Sequence, residues 1–171
     1  MRDLTRPCLR WALGALVATL MLTATGCPQL RAGLPFRELA AGRLESPGTV
    51  PGPLRALNAF VDHAAWEAWE TKLPLELTPQ DFERNTIVAV VVPWGKWGES
   101  SYRVTKVRRA KGNVLEVVLT FTEGPQPAGD GMVAPYQVVL IPYGRKLRPQ
   151  AVVFIDASMG KPTGEIRFPG P

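Results

Sequence analysis

Histidine and cysteine are almost missing from this chain: it has one histidine, His63, and two cysteines, Cys8 and Cys27. A Ser-His-Asp or Cys-His site would have to be built on His63, which sits beside Asp62 in a stretch that reads as the start of a helix. Zinc sites need several His or Cys ligands, so a typical one is excluded. Asp130-Gly131 resembles a fragment of a calcium loop, but the other acidic ligands are missing, and turn chemistry accounts for it. Glu67 and Glu70, three apart, read as a solvated helix face rather than the paired carboxylates of glycoside chemistry, which need a cleft. Ser100 and Ser101 are adjacent but have no base near them in sequence. No Gly-rich phosphate loop ending in Lys and Ser/Thr occurs. Residue chemistry therefore names no catalytic group, metal or cofactor.

What is present begins with an export signal. MRDLTRPCLR carries Arg2, Arg6 and Arg10 against Asp3, and the uncharged run WALGALVATLMLTAT follows from Trp11 to Thr25. A basic head before a short apolar run is the pattern of a secretory signal peptide. The run is about 15 residues long, short of the roughly 20 that span a bilayer. Ala24-Thr25-Gly26-Cys27 resembles the lipobox of bacterial lipoproteins, with Ala24 where Leu is usual. Residues 1–26 are thus expected to be a lipoprotein signal peptide and Cys27 the lipidated mature N-terminus. An uncleaved anchor, or an ordinary secretory signal cut near Ala24, are the alternatives. Pro28 follows Cys27 in place of the acidic residue that retains lipoproteins in an inner membrane. This points to a cell-envelope location, the outer membrane where the organism has one.

Removing 26 residues from 171 leaves 145, enough for one domain with a core of its own. Three Arg and one Asp leave with the signal, so the whole-chain charge of +5 falls to +3. The densest basic cluster, Arg108, Arg109 and Lys111, reads as a strand end and turn; nucleic acid is not an expected partner. With Cys8 in the signal and Cys27 lipidated, the domain has no disulfide, and its stability must come from packing.

Residues 27–53 are rich in Pro and Gly and read as a tether, in which Phe36 to Leu44 could contribute a first strand. The domain proper is expected over 54–171. Leu54 to Val61 mixes strand-like residues. Asp62 is a suitable N-cap for a helix from His63 to Leu73, on which Trp66, Trp69 and Leu73 share one face. TIVAVVV, from Thr86 to Val92, is continuously apolar and β-branched, as in a strand buried on both faces. Tyr102 to Arg109, a turn at Lys111-Gly112-Asn113, and Val114 to Phe121 make a hairpin. In its second strand Leu115, Val117, Leu119 and Phe121 alternate with Val114, Glu116, Val118 and Thr120. A Gly/Pro-rich loop from Thr122 to Ala134 leads to strands at Tyr136–Ile141 and Ala151–Ile155, with Ile166 to Phe168 as an edge. The expectation is an α+β, mainly β fold: a small antiparallel sandwich-like module with one N-terminal helix.

The most unusual segment is PWGKWGESSY, Pro93 to Tyr102, which sets two tryptophans in a glycine-rich connection. Exposed tryptophan is a common anchor of protein contacts; rings that fold back over the sheet edge and bury apolar area are the more ordinary arrangement. Trp94, Trp97, Glu99, Ser100 and Tyr102 are the candidate protein-binding residues, with the loop Glu123–Val133 beside them.

Asp81-Phe82, TIVAVVV, Gly95, Tyr102, the hairpin, Gly124-Pro125 and Pro135-Tyr136-Gln137-Val138-Val139 together resemble the C-terminal domain of PrcB-like proteins. Trp66 and Trp69 resemble the tryptophan lead-in of that family. The resemblance covers roughly Leu54 to Asp156. It implies a non-enzymatic lipoprotein that binds or stabilises a partner protein, an envelope protease in the family's namesake. Where the family usually has Thr-Gly-Gly-Tyr, this chain has Glu99-Ser100-Ser101-Tyr102; serines would fit a left-handed bulge poorly. A protease-inhibitor-like module using the same loops, or an envelope enzyme of unrecognised type, are the alternatives.

Replacing the lipidated residue tests the export reading directly. Cys27→Ser is expected to abolish incorporation of labelled fatty acid and to leave an unprocessed or soluble product. Normal labelling and processing of that variant would refute it.

Overall fold

The apolar run of TIVAVVV is explained by two cores, one on each face of the strand it forms. The computed structural model describes residues 33–45, 57–71, 73–93, 100–125, 132–144 and 147–169. In chain order these form β1 (Arg37–Glu45), β2 (Leu57–Phe60), α1 (His63–Glu67), α2 (Pro79–Phe82), β3 (Asn85–Val91), β4 (Ser101–Ala110), β5 (Val114–Thr122), β6 (Val133–Pro142), β7 (Ala151–Asp156) and β8 (Lys161–Arg167). They build two four-stranded sheets, ordered β1-β6-β3-β2 and β4-β5-β7-β8. Val88 and Val90 of β3, with Val139 and Ile141 of β6, meet Val107, Leu115, Val117 and Phe154 of the second sheet in the sandwich interior. Ile87, Ala89 and Val91, with Val138 and Leu140, face the other way, under Trp66, Leu73, Leu77 and Phe82. Side chains alternate along a strand, so β3 and β6 must be apolar at nearly every position.

The mainly β, sandwich-like architecture is as the sequence suggested, with two main differences. In addition, the last strand, expected at Ile166 to Phe168, begins earlier and runs over Lys161–Arg167, its polar first half hiding it from an apolar pattern. The expected helix over His63–Leu73 ends at Glu67. Asp62 caps it as anticipated, its Oδ1 accepting the Ala65 amide at 2.7 Å. Pro74 disfavours helical backbone at Leu73, and the aromatic contacts favour a turn. Trp66 and Trp69 both pack on Phe60, with ring centroids 5.2 and 5.3 Å apart, while Leu73 reaches the same cluster from non-helical chain. A second short helix, α2, has its first turn closed by Asp81, whose Oδ2 takes the Thr78 amide and hydroxyl, each at 2.8 Å. Those hydrogen bonds hold the Asp81 carboxyl below its ordinary pKa.

The second difference is that not every pair is antiparallel: β5 and β7 run parallel, Val114 opposite Ala151 and Val118 opposite Ile155. Between them the chain crosses to the other sheet as β6, which serves as the crossover that parallel neighbours require. The hairpin turn fixes the start of β7. Gly112 and Asn113 take positive φ values of 70° and 58°, a conformation these residue types tolerate. Asn113 then accepts the Gln150 amide on its carbonyl at 3.0 Å and donates its side-chain amide to the Arg148 carbonyl. The first strand expected within the tether is β1, hydrogen-bonded along β6, so the folded unit takes in residues ahead of Leu54.

Thr86 lies in β3 opposite Ile141, fully buried, and its hydroxyl has no hydrogen-bond partner. An unsatisfied buried hydroxyl costs about 1–3 kcal/mol, and removing it without changing shape relieves that cost. Thr86→Val is therefore expected to raise unfolding free energy by about 1 kcal/mol in a denaturant melt; a decrease would contradict the unpaired state of the hydroxyl.

Candidate functional site

One end of the sandwich gathers the two connections that the sequence singled out. The first leaves β3 through Val92, whose amide donates to the Pro135 carbonyl at 2.8 Å, and returns at Ser100 ahead of β4. The second leaves β5 through Glu123 and Gly124 and returns at Met132 ahead of β6. Ser100 ties the two bases together: its Oγ accepts the Gly124 amide at 3.0 Å, and the residue is 3% exposed. Ser100 is thus an internal brace rather than a presented contact. Tyr102 is half-buried and lies against Phe121, ring centroids 5.1 Å apart. Phe121, expected on the buried face of its strand, is 42% exposed because it stands at the open end of the sheet. Trp94, Trp97, Glu99 and Cys27 lie outside the described residues. Among the described residues Asn113 is the one non-glycine with positive φ, so Ser100 and Ser101 take ordinary backbone where the PrcB-like pattern has two glycines.

Beside these bases a cleft of ≈ 240 Å³ opens between the edge strands of the two sheets. Ala41, Gly42 and Arg43 of β1 form one wall, Ser101 to Arg103 of β4 the other, and Pro135 to Gln137 of β6 the floor. The two edges are joined further along, where the Leu34 amide donates to the Val107 carbonyl at 2.7 Å. Gln137 closes the gap at the next level. Its Oε1 accepts the buried Val104 amide at 2.7 Å, and its Nε2 donates to Glu38. Glu38 also lies 3.6 Å from Arg103, a half-exposed pair worth under about 1 kcal/mol. Past Gln137 the edges part, and the cleft is what remains between them. The Tyr136 ring lies across Gly42, where a Cβ would sit 3.0 Å from the Tyr136 hydroxyl oxygen, so a larger residue would have to push the ring aside.

Among the described residues the arrangement offers positive charge and hydroxyl-bearing side chains but no acid–base pair. His63 lies beyond the opposite end of β3, since Phe60 pairs with Ile87 while Leu57 pairs with Val90. Its Nε2 contacts the Leu77 carbonyl at 2.9 Å. The seven residues of β3 separate it from the cleft by roughly 20 Å. No group of three or more potential metal ligands occurs among the described residues. Comparison of the chain with protein-family models, with characterised proteins and with solved structures returned no match.

Sequence reasoning missed Arg43, Arg103 and the role of Gln137. Gln137 carried a usable signal, being the lone polar side chain in the run Tyr136 to Ile141. The arginines carried none, because their meeting depends on two edge strands distant in sequence. Gln137→Leu keeps the volume but strands the Val104 amide in a buried position. It is expected to destabilise the protein by about 2 kcal/mol, measured by denaturant unfolding; a neutral result would mean that water satisfies that amide.

Proposed function

We propose that the chain is a membrane-tethered, non-enzymatic lipoprotein that binds or stabilises a partner protein, an envelope protease being the partner that the PrcB-like resemblance implies. The observation that supports this most is the bracing of two loop bases at one end of a rigid sandwich, through Ser100 and Gly124, beside an open cleft. Loops held by a rigid scaffold are the usual place for recognition. Lipid on Cys27 would hold the protein at a membrane of the envelope, among partners there. Among the described residues no helix is long and apolar enough to cross a membrane, and attachment through lipid needs none.

The test uses the tryptophans that the sequence places in the first loop. Trp94→Ala with Trp97→Ala is expected to change stability by less than about 0.5 kcal/mol. It should weaken capture of the partner from envelope extract by roughly thirtyfold, the equivalent of about 2 kcal/mol for a truncated anchor. A loss of about 3 kcal/mol or more in stability, as for core truncations, would take the rings out of the contact. Unchanged capture would do the same.

A further inference from the structure

We propose that the cleft between β1 and β4 receives an extended, acidic peptide segment of the partner, added as a strand to the free edge of β1. The proposal rests on the partner-binding reading above and specifies its chemistry.

Backbone direction in β1 follows from its neighbours. The Val92 amide bonds to the Pro135 carbonyl, so Pro135 directs its carbonyl towards β3. In an antiparallel ladder successive residues point their backbone groups to opposite sides, so Tyr136 faces β1, where it pairs with Gly42. Ala41 and Arg43, opposite Gln137 and Pro135, consequently direct their N–H and C=O groups away from β6. These groups form an unpaired edge along the cleft wall. An unpaired edge is a template for another strand unless something blocks it. From Val104 onward the edge of β4 is engaged, since the Val104 amide is taken by Gln137 and the Val107 carbonyl by Leu34. The edge of β1 at 41–43 has no such cover among the described residues. All three of its residues are exposed, and two of them are Ala and Gly, small enough to let a second backbone approach.

Charge selects the occupant. Arg43 lines the cleft from β1 and makes no ion pair among the described residues, while Arg103 faces it from β4 and is engaged by Glu38 at 3.6 Å. An arginine fork fits a carboxylate with two parallel hydrogen bonds. Ser101 and Tyr102 also line that wall. A strand with Glu or Asp on one face would present carboxylates to the arginines and amides to Ala41 and Arg43 together.

The full chain in detergent is titrated with three labelled peptides by fluorescence anisotropy. The first is a valine-rich strand former with Glu and Asp at alternate positions. The second has Lys at those positions, and the third is the acidic peptide with alternate amides N-methylated. The acidic peptide is expected to bind, with both others at least about tenfold weaker. Ala41→Pro removes a free-edge donor and spares the bonds to β6. It should weaken the acidic peptide about tenfold without lowering the melting temperature. Arg43→Gln, which keeps the backbone, should weaken it about fivefold and flatten its salt dependence. The proposal is overturned by no binding of the acidic peptide, by equal binding of the lysine or N-methylated peptide, or by wild-type affinity in Arg43→Gln. A dimer in light scattering that the acidic peptide does not dissociate also overturns it, because a second copy then holds the edge. Capture of an envelope partner that is equal for wild type and Ala41→Pro removes the edge and leaves partner binding standing. Failure of the wild type to capture any partner removes the broader reading while the peptide result stands.

Discussion

Both faces of the β3–β6 pair must be kept from water, and the placement of the other elements follows from that. Val88, Val90, Val139 and Ile141 point one way and Ile87, Ala89, Val91 and Val138 the other, every one of them at most 1% exposed. A two-sided apolar strand pair cannot stand at a surface, since each such side chain contributes about 1.5–3 kcal/mol when buried. The second sheet covers one face. The short helices and the Trp66–Phe82 segment cover the other. With no disulfide expected to assist, this double burial is the main source of cohesion.

The same requirement explains where the molecule opens. Two sheets of four strands can be joined at their edges only where something spans the gap. On the β1–β4 side this is done by one backbone hydrogen bond at Leu34, by the side chain of Gln137 and, more weakly, by the half-exposed pair of Glu38 with Arg103. Gln137 is 5% exposed, and both ends of its amide are satisfied, so it costs little to bury. Beyond it no comparable link occurs among the described residues, and the strands diverge towards the loop bases that Ser100 and Gly124 tie together. The cleft, the bare β1 edge and the braced loops therefore share one cause: the sheets are fastened at one level and free at the next. Such a division between a fastened scaffold and an open end is what supports the partner-binding proposal.

Local chemistry was legible where the decisive contacts are near in sequence. Asp62 read as a helix cap and is one; Lys111-Gly112-Asn113 read as a turn and joins the hairpin; TIVAVVV read as doubly buried. The helix length was misjudged because Trp66, Trp69 and Leu73 satisfy helical spacing and a compact aromatic cluster equally well, and contact with Phe60 chose the cluster. The parallel pairing of β5 and β7 was invisible because no residue in either strand encodes its direction; the excursion through β6 sets it.

The sequence by itself determined the central strands, which of them are buried on both faces, where the first helix is capped and where the hairpin turns. These follow from periodicity, capping and composition, which act over a few residues. Only the tertiary structure decided that β1 belongs to the sheet, that Ser100 braces rather than presents, and that Arg43 and Arg103 face one cleft across sixty residues of chain. Those outcomes depend on which edges meet when two sheets pack, a property of the whole assembly of strands that no local window of residues contains.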